Sequence, residues 1–255
     1  MQRVSLSAKG FIAVVVVTGI AVLANGLLHW TYSRPVELVG LLIMAAVASR
    51  LKVKLPGLNG SMSVNVPYLL IIAVRLGAGE ALAIAALAGL LQSISALKKR
   101  ETFVQALFSS AAITNSTAAA ILAFKSASSH GWFGPLSVSA AGAAFFLANT
   151  IQIALVLWLA EGKNPLQAWR GMAQLSVPYY LLSAEIAAVI CMAVQFATWG
   201  EGLALLPIMY SIYASYKLYF GAPLAANREN AEVRSEDQSM VRAGVSASAP
   251  SVVTH

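Results

Sequence analysis

Long uninterrupted runs of apolar residues constrain this chain more than any other feature. The first run, GFIAVVVVTGIAVLANGLL at 10–28, has no charged side chain and approaches the length of about 20 residues that a helix needs to cross a bilayer. Because lipid offers no hydrogen-bond partners, a spanning helix must pair its backbone groups within itself. Only 11% of the residues are charged, against about 25% in a soluble domain. The sequence therefore predicts an all-α, polytopic transmembrane helical bundle.

The first apolar run also has some features of a signal peptide. Arg3 and Lys9 precede it, and Ala24 stands at a position where cleavage would be acceptable. The run is longer than the apolar core of a signal peptide, which has about 7–15 residues, and more apolar runs follow at once. We therefore interpret it as a retained first helix.

Eight apolar segments are predicted to span the membrane. The second and third are short, and the third follows the turn-forming stretch LPGLNGSMS, so one of the two is expected to enter obliquely or to be broken. The predicted bounds are 10–29, 35–50, 63–77, 79–97, 103–124, 137–160, 176–198 and 202–219.

The basic residues give an orientation to these spans. If the N-terminus is cytoplasmic, fourteen of the seventeen lysines and arginines fall on the cytoplasmic side, and only Arg34, Arg75 and Lys125 fall outside. Cytoplasmic loops carry an excess of Lys and Arg. The pattern thus predicts eight spans with both termini inside.

The composition changes after Phe220. Residues 221–255 are rich in Ala, Ser, Glu and Arg and nearly lack large apolar side chains, so they cannot build a packed core. We therefore predict a transmembrane domain at 1–220 and a disordered cytoplasmic tail at 221–255.

The residues that most catalytic or metal sites need are scarce. Cys191 is the single cysteine, so there is no CxxC pair, and His29, His130 and His255 all lie outside the predicted spans. No pattern typical of a metalloprotease, a nucleophile elbow or a phosphate-binding loop occurs. The sequence predicts no enzyme, no cofactor and no metal site. The positive net charge is explained by topology, so nucleic acid is not an expected partner.

Small residues recur every four positions in the fourth span, at Gly77, Ala81, Ala85 and Gly89. Such a row lets two helix backbones approach closely, which is how helices associate in lipid. We expect this row to face the bundle.

Four polar side chains within spans are candidate ligand-binding residues: Asn115, Asn149, Gln152 and Glu185. In one interpretation they only hydrogen-bond neighbouring helices. In the other they line one polar cavity. The sequence favours the first interpretation slightly and leaves the second open.

Glu185 lies in the apolar stretch PYYLLSAEIAAVICMAVQF, which begins at Pro178, and has no basic partner nearby. A carboxyl group facing lipid is unfavourable, so we expect it to face the bundle interior, nearer the inner side than the midplane. Its role is either a structural hydrogen bond or a functional charge. In both cases Glu185→Leu is expected to destabilise the fold.

The chain resembles a known class of sensory membrane domain. The resemblance rests on the stretches KVKLPGLNGSMSVNVPYLLIIAVRLGAGEALAIAALAGLLQS (52–93), NTIQIALVLWLAEGKNPLQAWR (149–170), PYYLLSAEIAA (178–188) and LALLPIMYSIYASYKLYF (203–220). These are similar to the MASE-like multi-span modules found N-terminal to bacterial HD-GYP and GGDEF domains. Where those proteins continue into an output domain, this chain has its predicted disordered tail, so the resemblance implies a sensor without its effector.

Tyr210, Tyr213 and Tyr216 are spaced three apart before the point where an output domain would begin. They are candidate signal-coupling residues, with an aromatic belt at the membrane surface as the alternative. The resemblance implies a sensory module of a bacterial inner membrane that acts through a partner in trans. A small-molecule transporter or a substrate-binding membrane subunit is the alternative. The expected partners are the lipid bilayer, a cytoplasmic signalling protein and a second copy of the chain.

Overall fold

Seven helices and one small hairpin make up the part of the chain that the structure, a computed structural model, describes: residues 5–30, 35–54, 61–97, 103–162, 164–193, 210–211 and 214–215. The helices are α1 (Leu6–Leu28), α2 (Pro35–Arg50), α3 (Val66–Arg75), α4 (Ala78–Leu97), α5 (Phe103–Ser129), α6 (Gly134–Glu161) and α7 (Pro165–Ala193). The predicted all-α class is confirmed for the described residues.

Four of these helices are long and apolar enough to cross a membrane: α1, α5, α6 and Pro165–Met192 of α7. Helix α3 and the Ala78–Ser93 part of α4 are apolar but shorter. The number of eight spans and the orientation with both termini inside stay predictions. Most of the predicted eighth span and all of the predicted tail lie outside the described residues.

A two-stranded antiparallel hairpin lies between α2 and α3, where a loop was expected. Strand β1 (Lys52–Lys54) pairs with β2 (Ser61–Ser63), with Lys52 opposite Ser63. The Val64 N–H donates to the Leu51 carbonyl oxygen at 3.1 Å and extends the pairing toward the bundle. The hairpin thereby brings the end of α2 and the start of α3 together.

Helix α3 lies at the centre of the fold. Its residues from Val66 to Ala73 are all buried, and it contacts α2, α4, α5, α6 and α7. Its 10 residues span about 15 Å at about 1.5 Å per residue, half of the roughly 30 Å hydrocarbon layer. Helix α3 lies in the core because its surface is apolar on all sides and not only along one stripe.

Close helix contacts occur where glycine faces a neighbouring backbone. A Cβ atom added at Gly89 would lie 2.6 Å from the Ser110 Cα on α5, and one at Gly142 would lie 2.7 Å from the Ala184 Cβ on α7. Ala81 and Ala85 are fully buried. The small-residue row of the fourth span therefore faces the bundle from Ala81 to Gly89, as predicted.

Helix α7 begins earlier than the sequence suggested. The seventh span was predicted at 176–198, whereas the helix starts at Pro165 and runs through Pro178. Proline is normally found in the first turn of a helix, and that preference misled the prediction. In a transmembrane helix an internal proline is tolerated because neighbouring groups satisfy the freed carbonyl.

Candidate functional site

Thr18, Asn115 and Gln152 meet between α1, α5 and α6, and we refer to these three residues as the amide cluster. The Asn115 side-chain N–H group donates to the Val15 carbonyl oxygen and to the Thr18 hydroxyl oxygen, both at 3.1 Å. It also lies 3.4 Å from the Gln152 side-chain oxygen, which accepts from it. Asn115 therefore connects three helices through one side chain.

The donors of the amide cluster all turn inward. The Gln152 amide donates to the Ala148 carbonyl oxygen at 2.8 Å, with the Ser116 hydroxyl 3.5 Å away. The Thr18 hydroxyl donates to the Val15 carbonyl oxygen at 2.9 Å. No described residue donates to the Asn115 side-chain oxygen. The donors of the cluster are thus paired, whereas the Asn115 side-chain oxygen can still accept a hydrogen bond.

The amide cluster is open on one side. Thr18 is exposed, and Asn115 and Gln152 are half-buried. The side chains of Val14 and Ile151, which flank the cluster on α1 and α6, are also exposed. Since Thr18 and Asn115 lie near the middle of α1 and α5, this opening is at the depth of lipid tails when those helices cross a bilayer.

A second polar network lies around the start of α3, and we call it closed because none of its side chains is exposed. The Asn149 amide donates to the Tyr180 hydroxyl at 2.9 Å, and the Val66 N–H donates to the Tyr179 hydroxyl at 3.2 Å. We call Asn149, Tyr179, Tyr180 and Val66 the tyrosine network. Tyr179 and Tyr180 are both buried, and their rings meet edge to face with centroids 5.5 Å apart.

The buried start of α3 is also held from α2. The Asn65 amide donates to the Ser49 hydroxyl at 3.1 Å, and Ser49 in turn donates to the Ala45 carbonyl oxygen at 2.6 Å. Nearby in sequence, the fully buried Tyr68 hydroxyl has no hydrogen-bond partner among the described residues. The N-terminus of α3 is therefore fixed from both α2 and α7.

The four predicted ligand-binding residues do not form a single cavity. Asn115 and Gln152 come together in the amide cluster, whereas Asn149 pairs with Tyr180 on the side of α6 that faces α7. Glu185 lies apart from all three. The structure therefore brings together two of the four residues, which share a helix interface.

Glu185 does not face the interior as predicted. Its side chain is exposed, and its one hydrogen-bond partner among the described residues is the Ser139 hydroxyl on α6, which donates to the carboxylate at 3.5 Å. Because α7 begins at Pro165, Glu185 lies about 30 Å along the helix at 1.5 Å per residue. It is therefore near the far end of α7, beside the beginning of α6, and not near the end where α7 starts.

Only one of the three candidate coupling tyrosines is among the described residues. Tyr210 is in a short helical stretch with Ser211, and its side chain is exposed. Tyr213 and Tyr216 lie outside the described residues. Their role as signal-coupling residues stays a prediction.

Two acidic residues and one arginine at the other end of α3 were not singled out from the sequence. The Arg75 Nε atom donates to the Glu37 carboxylate at 2.5 Å, joining the end of α3 to the beginning of α2. The Glu80 side chain is buried and accepts from the Gly77 N–H at 2.9 Å, at the start of α4. The Glu37–Arg75 pair could have been predicted from the sequence, because the two residues carry opposite charges and lie at the ends of two short apolar segments that follow each other.

Among the described residues, no three His, Cys, Asp or Glu side chains are grouped to hold a metal ion. Cys191 is a free thiol of intermediate burial on α7. The polar side chains within the described bundle are therefore mostly amides and hydroxyls, with the buried Glu80 side chain and one ion pair at the Arg75 end of α3.

A model of the protein family MASE9 matches the chain over residues 6–219, which includes every described helix. The match confirms the resemblance to a MASE-like membrane sensory module. No curated protein and no solved structure matches the chain.

Proposed function

Because the chain belongs to the MASE9 family of membrane-associated sensory domains, we propose that it is a multi-pass sensor of the bacterial inner membrane. In this proposal it detects a ligand within the bilayer and passes the signal to a cytoplasmic protein in trans. The chain itself performs no catalysis and needs no cofactor. The family match gives the sensory role, and the amide cluster is the observation that supports ligand detection.

The amide cluster suits detection because it joins three helices and remains open. Any group that hydrogen-bonds at Asn115 also affects the contacts that this residue makes with Thr18 and Gln152. A ligand there would favour one spacing of α1, α5 and α6 over another, which is the differential interaction that a two-state sensor requires. The closed tyrosine network offers no such opening and is better suited to hold α3 in place.

We propose that the cytoplasmic partner binds at the end of the bundle where α6 leads into α7. The two helices have 28 and 29 residues, or about 42 Å each, which exceeds the roughly 30 Å of a hydrocarbon layer. The Trp169 indole N–H donates to the Thr150 hydroxyl at 3.1 Å and ties them together near this end. Arg170 and Lys163 belong to the segment that the basic-residue pattern assigns to the cytoplasm.

The orientation is tested by labelling single cysteines in intact cells. In a Cys191→Ala background, Ser128→Cys should react with a membrane-impermeant maleimide, and Gln167→Cys should react only after the membrane is permeabilised. Both positions are exposed, and they lie at opposite ends of the α5–α6–α7 arrangement. Labelling of both from the same side would contradict the proposed topology.

The partner is tested by photo-crosslinking from the same two ends. A photoreactive amino acid at Gln167 of the full chain should capture a cytoplasmic cyclase, phosphodiesterase or kinase in native membranes. The same group at Trp132, an exposed residue at the opposite end, is the control and should not. Capture of that enzyme from both positions, or from neither, would reject a cytoplasmic output through the α6–α7 turn.

The alternative of a small-molecule transporter is not favoured by any observation on the described residues. A transporter needs access to its site from both sides of the membrane. The amide cluster instead opens sideways, between Val14 and Ile151. The sensory function is therefore the one we propose.

A further inference from the structure

The amide cluster has an imbalance of hydrogen-bonding groups that indicates what it binds. An asparagine and a glutamine together carry four N–H donors and two carbonyl oxygens, each with two lone pairs. The donors of Asn115 and Gln152 point to oxygen atoms of α1, α5 and α6. Of the two carbonyl oxygens, only that of Gln152 receives a donor from a described residue, at 3.4 Å.

The direction of both amides is fixed by their surroundings. The Asn115 side chain lies 3.1 Å from the Val15 carbonyl oxygen, and the Gln152 side chain lies 2.8 Å from the Ala148 carbonyl oxygen. Backbone carbonyl oxygens only accept, so the N–H group of each amide must face them. The side-chain oxygen of Asn115 is therefore left to face a group from outside the described bundle.

An open acceptor at this depth has no water to pair with. The opening is bordered by apolar residues, with Val14 and Ala21 one turn to either side of Thr18 on α1 and Ile151 next to Gln152 on α6. In a bilayer core an unpaired polar group costs free energy, because lipid tails offer neither donors nor acceptors. A molecule that enters from the lipid and brings a donor would remove this cost.

The donor that fits is a neutral hydroxyl group. Thr18, Asn115 and Gln152 carry no charge, so an ammonium group at mid-depth would lack the carboxylate partner that buried cations need. The apolar border suits an apolar body or chain attached to the donor. A carbonyl or ether group would bring only another acceptor and gain nothing at Asn115.

We propose, on the basis of the sensory role above, that the amide cluster binds a lipid-soluble molecule carrying a hydroxyl group, such as a long-chain alcohol or an alkyl hydroquinone. The hydroxyl donates to the Asn115 side-chain oxygen, and the apolar body lies between Val14 and Ile151. The molecule reaches the site from the bilayer, without entering from either aqueous side.

The binding test uses the purified full chain in lipid nanodiscs and needs no signalling partner. The probe is a hydroquinone with a decyl chain, and its dimethyl ether is the matched control, since the ether keeps the ring and chain but has no donor. We expect saturable binding of the hydroquinone, with a raised unfolding temperature, and at least tenfold weaker binding of the ether. Equal binding of the two probes, or no saturable binding of the hydroquinone, would overturn the proposal.

Three variants locate the site. Asn115→Leu should weaken hydroquinone binding by about tenfold, the factor that corresponds to one hydrogen bond of about 1.4 kcal/mol. Thr18→Leu keeps both amides and fills the opening, so it tests the same site if Asn115→Leu does not fold. Asn149→Leu removes an amide of the tyrosine network and should leave the affinity unchanged. An equal loss for Asn149→Leu would place the binding elsewhere.

A second copy of the chain is the competing occupant of the opening. Val14→Cys in a Cys191→Ala background would then form an intermolecular disulfide, and Asn115→Leu would prevent it. We expect no such disulfide, and its formation would overturn the small-molecule proposal. Because these measurements involve no partner enzyme, a negative result here leaves the crosslinking test of the sensory function intact, and the reverse also holds.

Discussion

The amide cluster and the tyrosine network use similar side chains and differ in how completely they are closed. In the tyrosine network, each bonded hydroxyl belongs to a buried tyrosine, and the partners are Asn149 and the first N–H of α3. In the amide cluster, Thr18 is exposed, whereas in the tyrosine network the least buried class is that of the half-buried Asn149, whose side-chain oxygen, like that of Asn115, has no donor among the described residues. Both networks join three helices, yet only the amide cluster has an exposed side chain.

This difference separates stability from function. A closed network costs free energy when any member is removed, because its partner stays buried and unpaired. The amide cluster costs less when Thr18 is changed, because the Asn115 N–H group keeps the Val15 carbonyl oxygen as an acceptor. Loss of the tyrosine network should therefore lower the free energy of unfolding, whereas loss of the amide cluster should chiefly change the response to a ligand.

The largest effect is expected outside the two regions, at the contact that joins α4 to α5. Gly89→Leu places a side chain where even a Cβ atom would be 2.6 Å from the Ser110 Cα. The Ser110 hydroxyl also donates to the Ala86 carbonyl oxygen at 2.8 Å, so the helices cannot separate without losing that bond. We expect a loss of about 3 kcal/mol or more in the free energy of unfolding.

Leu90→Ala is the control for this contact, since Leu90 is the next residue on α4 and is only half-buried. It should cost about 1 kcal/mol or less. Equal unfolding free energies for the two variants, measured by denaturant titration in detergent micelles, would show that the backbones are not in contact at Gly89.

The next largest effect is expected in the closed network. Tyr179→Phe keeps the buried ring and removes the hydroxyl that accepts from the Val66 N–H. The unpaired N–H at the start of α3 should lower the free energy of unfolding by about 1–3 kcal/mol. Hydrogen exchange in α3 should become faster by a matching factor. An unchanged exchange rate would mean that the start of α3 is held by Asn65 and Ser49 alone.

A smaller effect is expected in the open cluster. Thr18→Val is nearly the same size and removes one of the acceptors of the Asn115 N–H group. The remaining contact with the Val15 carbonyl oxygen should limit the loss to about 0.6 kcal/mol, the average for side-chain hydrogen bonds between membrane helices. A loss as large as that of Tyr179→Phe would erase the distinction between the open and the closed region.

The sequence was sufficient for what depends on local pattern. Apolar runs predicted the helical membrane class, and the four-residue spacing in α4 predicted the buried small-residue row. The three-residue spacing of Asn149 and Gln152 predicts that both lie on one face of α6, but Asn149 bonds to Tyr180 on α7 and Gln152 lies against α5. Which helix a side chain bonds to depends on distances between helices, and the spacing of residues within one segment does not give these distances.

Other features depend on tertiary contacts and were missed. The Glu37–Arg75 ion pair joins residues 38 positions apart, and the acceptor of the Val66 N–H is 113 positions away. Strands β1 and β2 were expected to be part of a loop because each has 3 residues, shorter than the alternating pattern of about 4–8 residues that predicts a strand. The start of α7 was misplaced because Pro178 was interpreted as the first turn of a helix and not as an internal residue.

The smallest effect is expected at Glu185, and here the structure changes the prediction. The sequence predicted an interior carboxyl group whose replacement by leucine destabilises the fold, but the side chain is exposed and lies 3.5 Å from the Ser139 hydroxyl. Replacing an exposed group without a close partner usually changes stability by less than about 0.5 kcal/mol. We therefore expect Glu185→Gln and Glu185→Leu to unfold at nearly the same denaturant concentration as the unchanged chain, and Ser139→Ala, the control, to match both. A loss of more than about 1 kcal/mol for Glu185→Leu alone would mean that a polar partner outside the described residues covers this carboxyl group, which would add a third network to the open and the closed one.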